Sequence, residues 1–254
     1  MLANDHLLLG RSFKYHKPRG LVASGVEEPN ALVTLGEGSR LEPNQRATTI
    51  EIFDGLVSKS QNRWPSLSID VGVINSFVSN LIPAGFYYKT FMYPRFAWKY
   101  LFEPVIRQAA GLGVAPTEGD ADSYEFFYCH VDVLVVGGGV AGLMATKLAG
   151  NSGAKTLLLE QSPFFGGLSI SENLELSGLE AENWVANSVS ELEKLESVTI
   201  RNRTTVSGVY DHGYVIANER VSDHEPDKKK PRNRLWRIRT KKIILATGAI
   251  EKPL

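Results

Sequence analysis

The densest apolar pattern in the chain begins at residue 131. Val131-Asp-Val-Leu-Val-Val136 is a β-branched run that stops at Gly137-Gly-Gly139, and the spacing then turns helical over 140–149. Residues 155–160 repeat the strand pattern. Residues 180–195 place Val185, Val189 and Leu192 on one helical face, and 198–202 read as a third strand. The order strand, helix, strand, helix, strand predicts a parallel sheet covered by helices. Short strands at 206–210, 214–217 and 235–239 form a small meander, and a last strand at 243–246 runs into Thr247-Gly248.

Upstream the pattern is weaker. Residues 1–56 are rich in Gly and Pro, with β-like runs at 31–35 and 48–53 separated by turn signals at Glu37-Gly38 and Glu42-Pro-Asn44. Residues 57–130 are aromatic-rich without a clean period, and Pro65, Pro83, Pro94, Pro104 and Pro116 interrupt any helix. That stretch reads as an arm lying over another surface. The chain therefore divides into 1–56, 57–130 and 131–254. The uncharged stretch 71–88 includes Asn75, Ser76, Ser79, Asn80 and Pro83, which are costly in hydrocarbon, so no membrane span is expected.

Composition narrows the classes. The 254 residues are 43% hydrophobic, enough for the cores of one or two domains. A formal net charge of +0 gives no global field towards nucleic acid or an anionic membrane, and neither partner is expected. The single cysteine, Cys129, excludes a disulfide framework and any cluster or zinc site held by four cysteines of this chain. Cysteine poverty, with no signal-peptide pattern, points to the cytoplasm. His6, His16, His130, His212 and His224 are scattered without a nucleophile or metal partner at a diagnostic spacing. No catalytic residue and no metal ligand is assigned. The basic run 228–234 reads as a solvated hairpin loop.

The glycines carry the chemistry. Gly137, Gly139 and Gly142 fit G-x-G-x-x-G between a strand and a helix: a tight turn, a close backbone approach to a diphosphate, and close helix–strand packing. Unpaired N–H groups at the helix start suit that anion. Glu160 ends the next strand, where a ribose-hydroxyl acceptor belongs. Gln161 is neutral and no arginine follows it directly, which argues against a 2′-phosphate and so against NADP. Gly166-Gly167 and the Ala246-Thr-Gly248 turn after the meander resemble the two-dinucleotide-binding flavoprotein fold, a Rossmann-like α/β domain of which this chain carries part.

The N-terminal region adds a specific resemblance. Arg11-Ser-Phe-Lys-Tyr-His-Lys-Pro-Arg-Gly20 and Gly25-Val-Glu-Glu-Pro-Asn-Ala-Leu32 are similar to the alpha subunits of heterotetrameric sarcosine oxidases. So are Pro83-Ala-Gly-Phe-Tyr-Tyr-Lys-Thr-Phe91, Ala109-Ala-Gly-Leu-Gly113 and Ala246-Thr-Gly-Ala-Ile-Glu-Lys-Pro-Leu254. Related amine and imino-acid dehydrogenase alpha subunits share these stretches. The resemblance implies a truncated ferredoxin-like α+β first region without an iron–sulfur cluster. It implies NAD at the glycine loop, with FAD in related dehydrogenases. Carried over, Gly137, Gly139, Val140 and Gly142 meet the pyrophosphate and Glu160 and Gln161 the ribose. Gly167 and Leu168 line the nearby loop, Val206 meets the adenine through its backbone, and Thr247 and Gly248 close the pocket.

It further implies a complex with beta, gamma and delta subunits, carrying FAD and FMN, that oxidatively demethylates sarcosine to glycine and passes the one-carbon unit to tetrahydrofolate. Family members start with an additional hairpin and continue well past the position of Leu254, so the chain reads as a fragment, inactive by itself. Two other readings stay open: the alpha subunit of an FAD-dependent amine, imino-acid or opine dehydrogenase, and a non-catalytic assembly module.

Overall fold

Glycine and proline shape the first part of the chain. The computed structural model describes residues 4–77, 79–81, 85, 91, 93–225 and 229–249. Most of the 83–91 stretch, residues 250–254 and Lys228 of the basic run lie outside them. Two units result, one up to Ala121 and one spanning Asp122–Ala249.

In the first unit β1 (Gly10–Arg11) and β2 (Pro18–Arg19) form a hairpin. Strand β3 (Leu32–Leu35) lies between β4 (Glu42–Arg46) and β5 (Ser58–Ser60), antiparallel to both. The expected turn at 42–44 is thus a strand, and the expected strand at 48–53 is not one: Ala47–Thr49 is a single 3₁₀ turn. The reason is position. β4 is an edge strand, where the missing N–H of Pro43 forfeits no ladder bond. Asn44, at φ +60°, sits in the register irregularity between Val33 and Leu35 instead of ending the strand. Pro104 likewise does not break a helix; it falls in the first turn of the helix Glu103–Ala109, where a proline N–H is not needed.

The histidines are not all without partners. His16 Nδ1 lies 2.7 Å from Asp70 Oδ2, and both residues are buried. The other Asp70 oxygen accepts the N–H groups of Gly72 at 3.0 Å and Trp64 at 3.2 Å. Arg11 donates to the carbonyls of Leu67, Ser68 and His16. Together they clasp the first hairpin to the 62–72 segment.

The second unit is built around two largely buried, mostly apolar runs, residues 133–136 and 156–159. Its sheet has the order β10-β7-β6-β13-β12-β11. β6 (Tyr124–Val136), β7 (Thr156–Leu159), β10 (Val198–Arg201) and β13 (Asn233–Leu245) are parallel. β11 (Thr204–Tyr210) and β12 (Tyr214–Arg220) continue from β13 as an antiparallel meander. A hairpin of β8 (Glu175–Leu176) and β9 (Leu179–Glu180) lies outside the sheet. The helices Val140–Asn151 and Ala181–Glu193 match the expected ones to within a turn, and the short helix Leu168–Ser171 is additional.

Two strands are longer than the sequence pattern indicates. The strand expected from 131 starts at Tyr124, taking in residues assigned to the arm, and the separate strands expected at 235–239 and 243–246 are one, β13. Each extension satisfies the other: β6 and β13 pair in register from Tyr124↔Asn233 to Val136↔Leu245.

The core has two layers. Val135 and Leu158 pack against Leu143, Val185 and Leu192 of the helices. On the opposite side Leu134, Leu157 and Leu159 join Val215, Ala217, Trp236 and Ile238 of the meander. Where both faces are covered, in β7 and over residues 133–136 of β6, the strands have no polar side, which is why the sequence there does not alternate.

Candidate dinucleotide site

The site forms where β6 and β13 leave the sheet together. Gly137 follows Val136 at φ +103°, and its N–H is held by the carbonyl of Leu159 at 2.8 Å. A Cβ at Gly137 would stand 2.3 Å from the carbonyl oxygen of Ala246, so the two turns touch backbone to backbone. A Cβ at Gly142 would stand 1.8 Å from the carbonyl oxygen of Gly137. These two glycines are required by packing alone.

Gly139 differs. Its φ of −70° suits any residue, and an added Cβ would meet nothing closer than the Gly166 carbonyl oxygen at 4.0 Å. It is the N-cap of the helix Val140–Asn151, and no side chain caps that end. The first-turn N–H groups of a helix have no partner within it, and here they open beside a residue that leaves space. The arrangement offers backbone N–H groups at this helix start to which a dinucleotide diphosphate could bind.

Glu160 closes one side. It is buried; Oε2 accepts the N–H of Gly138 at 2.6 Å and Oε1 that of Ser162 at 2.7 Å. Each carboxylate oxygen keeps a lone pair for a ribose hydroxyl. Gly166 closes another side: its N–H donates to the Gly138 carbonyl at 2.8 Å and it bridges Gly139. A Cβ on Gly167, at φ +56°, would lie 3.4 Å from Gly139 Cα.

The fold therefore brings Gly137, Gly139, Gly142, Glu160 and Gly167 together, with Thr247 N 3.2 Å from the Cβ position of Gly137. Gln161, Leu168 and Gly248 are exposed. The Val206 side chain packs on the meander core; β11 reaches the site through the Thr204 N–H, which donates to the Glu160 carbonyl at 2.8 Å. Sequence reasoning missed Gly138 and Ser162, whose parts are played by backbone N–H groups that leave no side-chain signature. Cys129 offers no reactive thiolate, because burial pushes its thiol up.

The chain resembles known proteins in sequence and in fold. Residues 132–224 match the family described as FAD dependent oxidoreductase. Over 256 residues, all of this chain, it is 48% identical to sarcosine oxidase subunit alpha of Rhizobium meliloti (strain 1021), and it is 33% identical over 261 residues to that of Corynebacterium sp. (strain U-96). The chain is a homologue of sarcosine oxidase alpha subunits. It spans 26% and 22% of the length of these two relatives. The crystal structure of L-proline dehydrogenase from P. horikoshii shares the fold, with a TM-score of 0.54 at 19% identity, covering all of this chain and 37% of that one.

Residues 1–63 match the family described as 2Fe-2S iron-sulfur cluster binding domain. The donor set does not fit such a cluster: the sole cysteine, Cys129, lies beyond the match, and among the described residues no group of three or more His, Cys, Asp or Glu could hold a metal ion. Also among the described residues, no helix is long and apolar enough to cross a membrane.

Proposed function

We propose that the chain forms the dinucleotide-binding part of the alpha subunit of a sarcosine oxidase-like flavoenzyme, an oxidoreductase acting on CH–NH bonds. The observation that carries this is the uncapped helix start behind Gly139, the one fingerprint glycine whose missing side chain the packing does not demand. Gly139, Val140 and Gly142 hold the diphosphate. Glu160 accepts a ribose hydroxyl while keeping Gly138 and Ser162 in place. Gly167 bounds the pocket beside Gly139, and Thr247 and Gly248 approach from the neighbouring turn. A bound dinucleotide supplies the acceptor for a hydride or an electron pair; the residues of this chain bind it, orient it and exclude water from the diphosphate.

In the whole enzyme the substrate is sarcosine, oxidised to glycine with transfer of the one-carbon unit to tetrahydrofolate, in a complex with beta, gamma and delta subunits that also carries FAD and FMN. That assignment rests on the kinship with sarcosine oxidase alpha subunits.

The family resemblance speaks for NAD in the glycine loop. A second reading places FAD there, favoured by the match of residues 132–224 to FAD-dependent oxidoreductases. The residues named above meet the ADP half common to both nucleotides, so the geometry serves either. The test is to purify the complete protein, release its nucleotide by denaturation and identify it by mass, using Gly139→Val as the control. NAD or FAD present in the wild type and absent from a folded variant supports the site and names the cofactor. A folded wild type with neither would leave the assembly-module reading.

A further inference from the structure

We infer that the open face of the meander half of the sheet is a docking surface for an acidic polypeptide surface on a partner subunit. Alternation sends Val215, Ala217, Trp236 and Ile238 into the core. The opposite face presents Phe126, Tyr128, Tyr210, Tyr214, Arg237 and Arg239. A solvated sheet face ordinarily carries polar side chains, yet Phe126 is 63% exposed and Tyr128 65%. The two arginines are already ordered. The Arg237 guanidinium lies 5.1 Å from the Phe126 ring centroid and 5.3 Å from that of Tyr128, whose hydroxyl accepts from it. Arg239 lies 4.7 Å from the Tyr214 ring and donates to the His212 carbonyl.

The charge on this face is one-sided. Of the three acids of these strands, Glu125 and Glu219 bind Arg234 on the other side of the sheet, and Asp132 is the third. At the edge of the face a hollow of about 280 Å³ is lined by His130, Lys155, Arg239 and Lys241 around one acid, Asp132. That carboxylate is engaged by Lys241 at 2.7 Å. Exposed Tyr and Arg fixed in place are the residue types that dominate interface cores, and ordered guanidinium groups lose little freedom on binding a carboxylate. A polypeptide fits better than a nucleic acid, because a chain of net charge +0 offers no extended basic track for a phosphate backbone. The curated relatives are themselves named as subunits.

The face lies about 30 Å along β6 from the glycine loop, at roughly 3.3 Å per residue, so the inference is independent of the bound nucleotide. The test uses the complete protein in its native assembly. Wild type is compared with Arg237→Glu/Arg239→Glu by light scattering at low and high salt. Zero-length carbodiimide cross-linking maps the carboxylates that meet Lys155 and Lys241, and nucleotide content is read by mass on the same samples. The expected result is a wild-type hetero-complex weakened by salt, cross-links from these lysines to partner Asp or Glu, and affinity lower by about tenfold or more in the variant, with nucleotide content unchanged. If circular dichroism shows the double variant misfolded, Arg237→Gln/Arg239→Gln takes its place. Unaltered assembly of a folded variant, cross-links only within the chain, or tighter binding of oligothymidylate than of the partner would each overturn the inference.

Discussion

The carboxylate of Glu160 accepts the backbone N–H of Gly138 at 2.6 Å, joining the end of β7 to the middle of the glycine loop. Glu160 therefore shapes the loop before it meets any ligand. Glu160→Ala leaves the Gly138 and Ser162 N–H groups without their acceptor, at a cost of about 1–3 kcal/mol, and also weakens dinucleotide binding. Glu160→Gln keeps one acceptor oxygen and recovers part of the stability. Thermal melts paired with titration calorimetry separate the two effects; loss of affinity with no change in the melt would mean that Glu160 does not brace the loop.

Gly139 and Gly142 respond differently to the same small change. Gly142→Ala drives a methyl into the Gly137 carbonyl and is expected to destabilise the unit by about 3 kcal/mol. Gly139→Ala has room and an ordinary φ, so the melt stays close to wild type. A diphosphate pressed against that position is then held about tenfold more weakly, near 1.4 kcal/mol. Urea midpoints and nucleotide affinity for the two variants check this.

The buried His16–Asp70 pair gives the first unit an acid-side dependence. Burial alone would raise the Asp70 pKa, but the bonds from His16, Gly72 and Trp64 outweigh it and hold the carboxyl below its usual range. A group depressed on folding contributes fully above its unfolded value, about 3.9, and the contribution is lost as pH falls through the lower folded value. Hydrogen exchange across 62–72 should accelerate as pH falls below about 4, after correction for the intrinsic rate. Asp70→Asn should flatten that dependence, and Asp70→Ala should cost about 3 kcal/mol by leaving His16 buried beside no carboxylate. An unchanged acid profile in Asp70→Asn would assign the dependence elsewhere.

Glu219 serves two neighbours, accepting the indole N–H of Trp236 at 2.7 Å and pairing with Arg234 at 3.1 Å. Trp236 is buried between β6 and β12. Glu219→Ala is expected to cost about 2 kcal/mol and to shift the indole fluorescence, whereas Glu219→Gln, which keeps an acceptor for the indole, should cost less than about 1 kcal/mol. Equal losses in the two variants would show that the ion pair, not the indole bond, matters.

What was legible in the sequence was local. The run before Gly137, the helix after it and Glu160 are contiguous signals, and each stands where the pattern put it. The first half of β6 was not legible: Tyr124-Glu-Phe-Phe-Tyr-Cys-His130 is aromatic and mostly exposed, and becomes strand only because Asn233–Thr240 pairs with it from far along the chain. Pro43 and Asn44 read as a turn because local chemistry does not say that a strand will lie on an edge. The His16–Asp70 contact joins residues 54 positions apart, with the sheet of β3, β4 and β5 between them in sequence, beyond the reach of spacing rules. Within the site, the side-chain partner was visible in the sequence; the amides it binds were not.

The constant register between β6 and β13 makes their two exits a single jaw. Val136 stands opposite Leu245, so Gly137 and Ala246 emerge side by side at one level. Deleting any one residue of β13 would retract Thr247 by about 3.3 Å and turn its side chain to the opposite face. Length variation in this lineage should therefore be confined to the hairpins and spare these two strands.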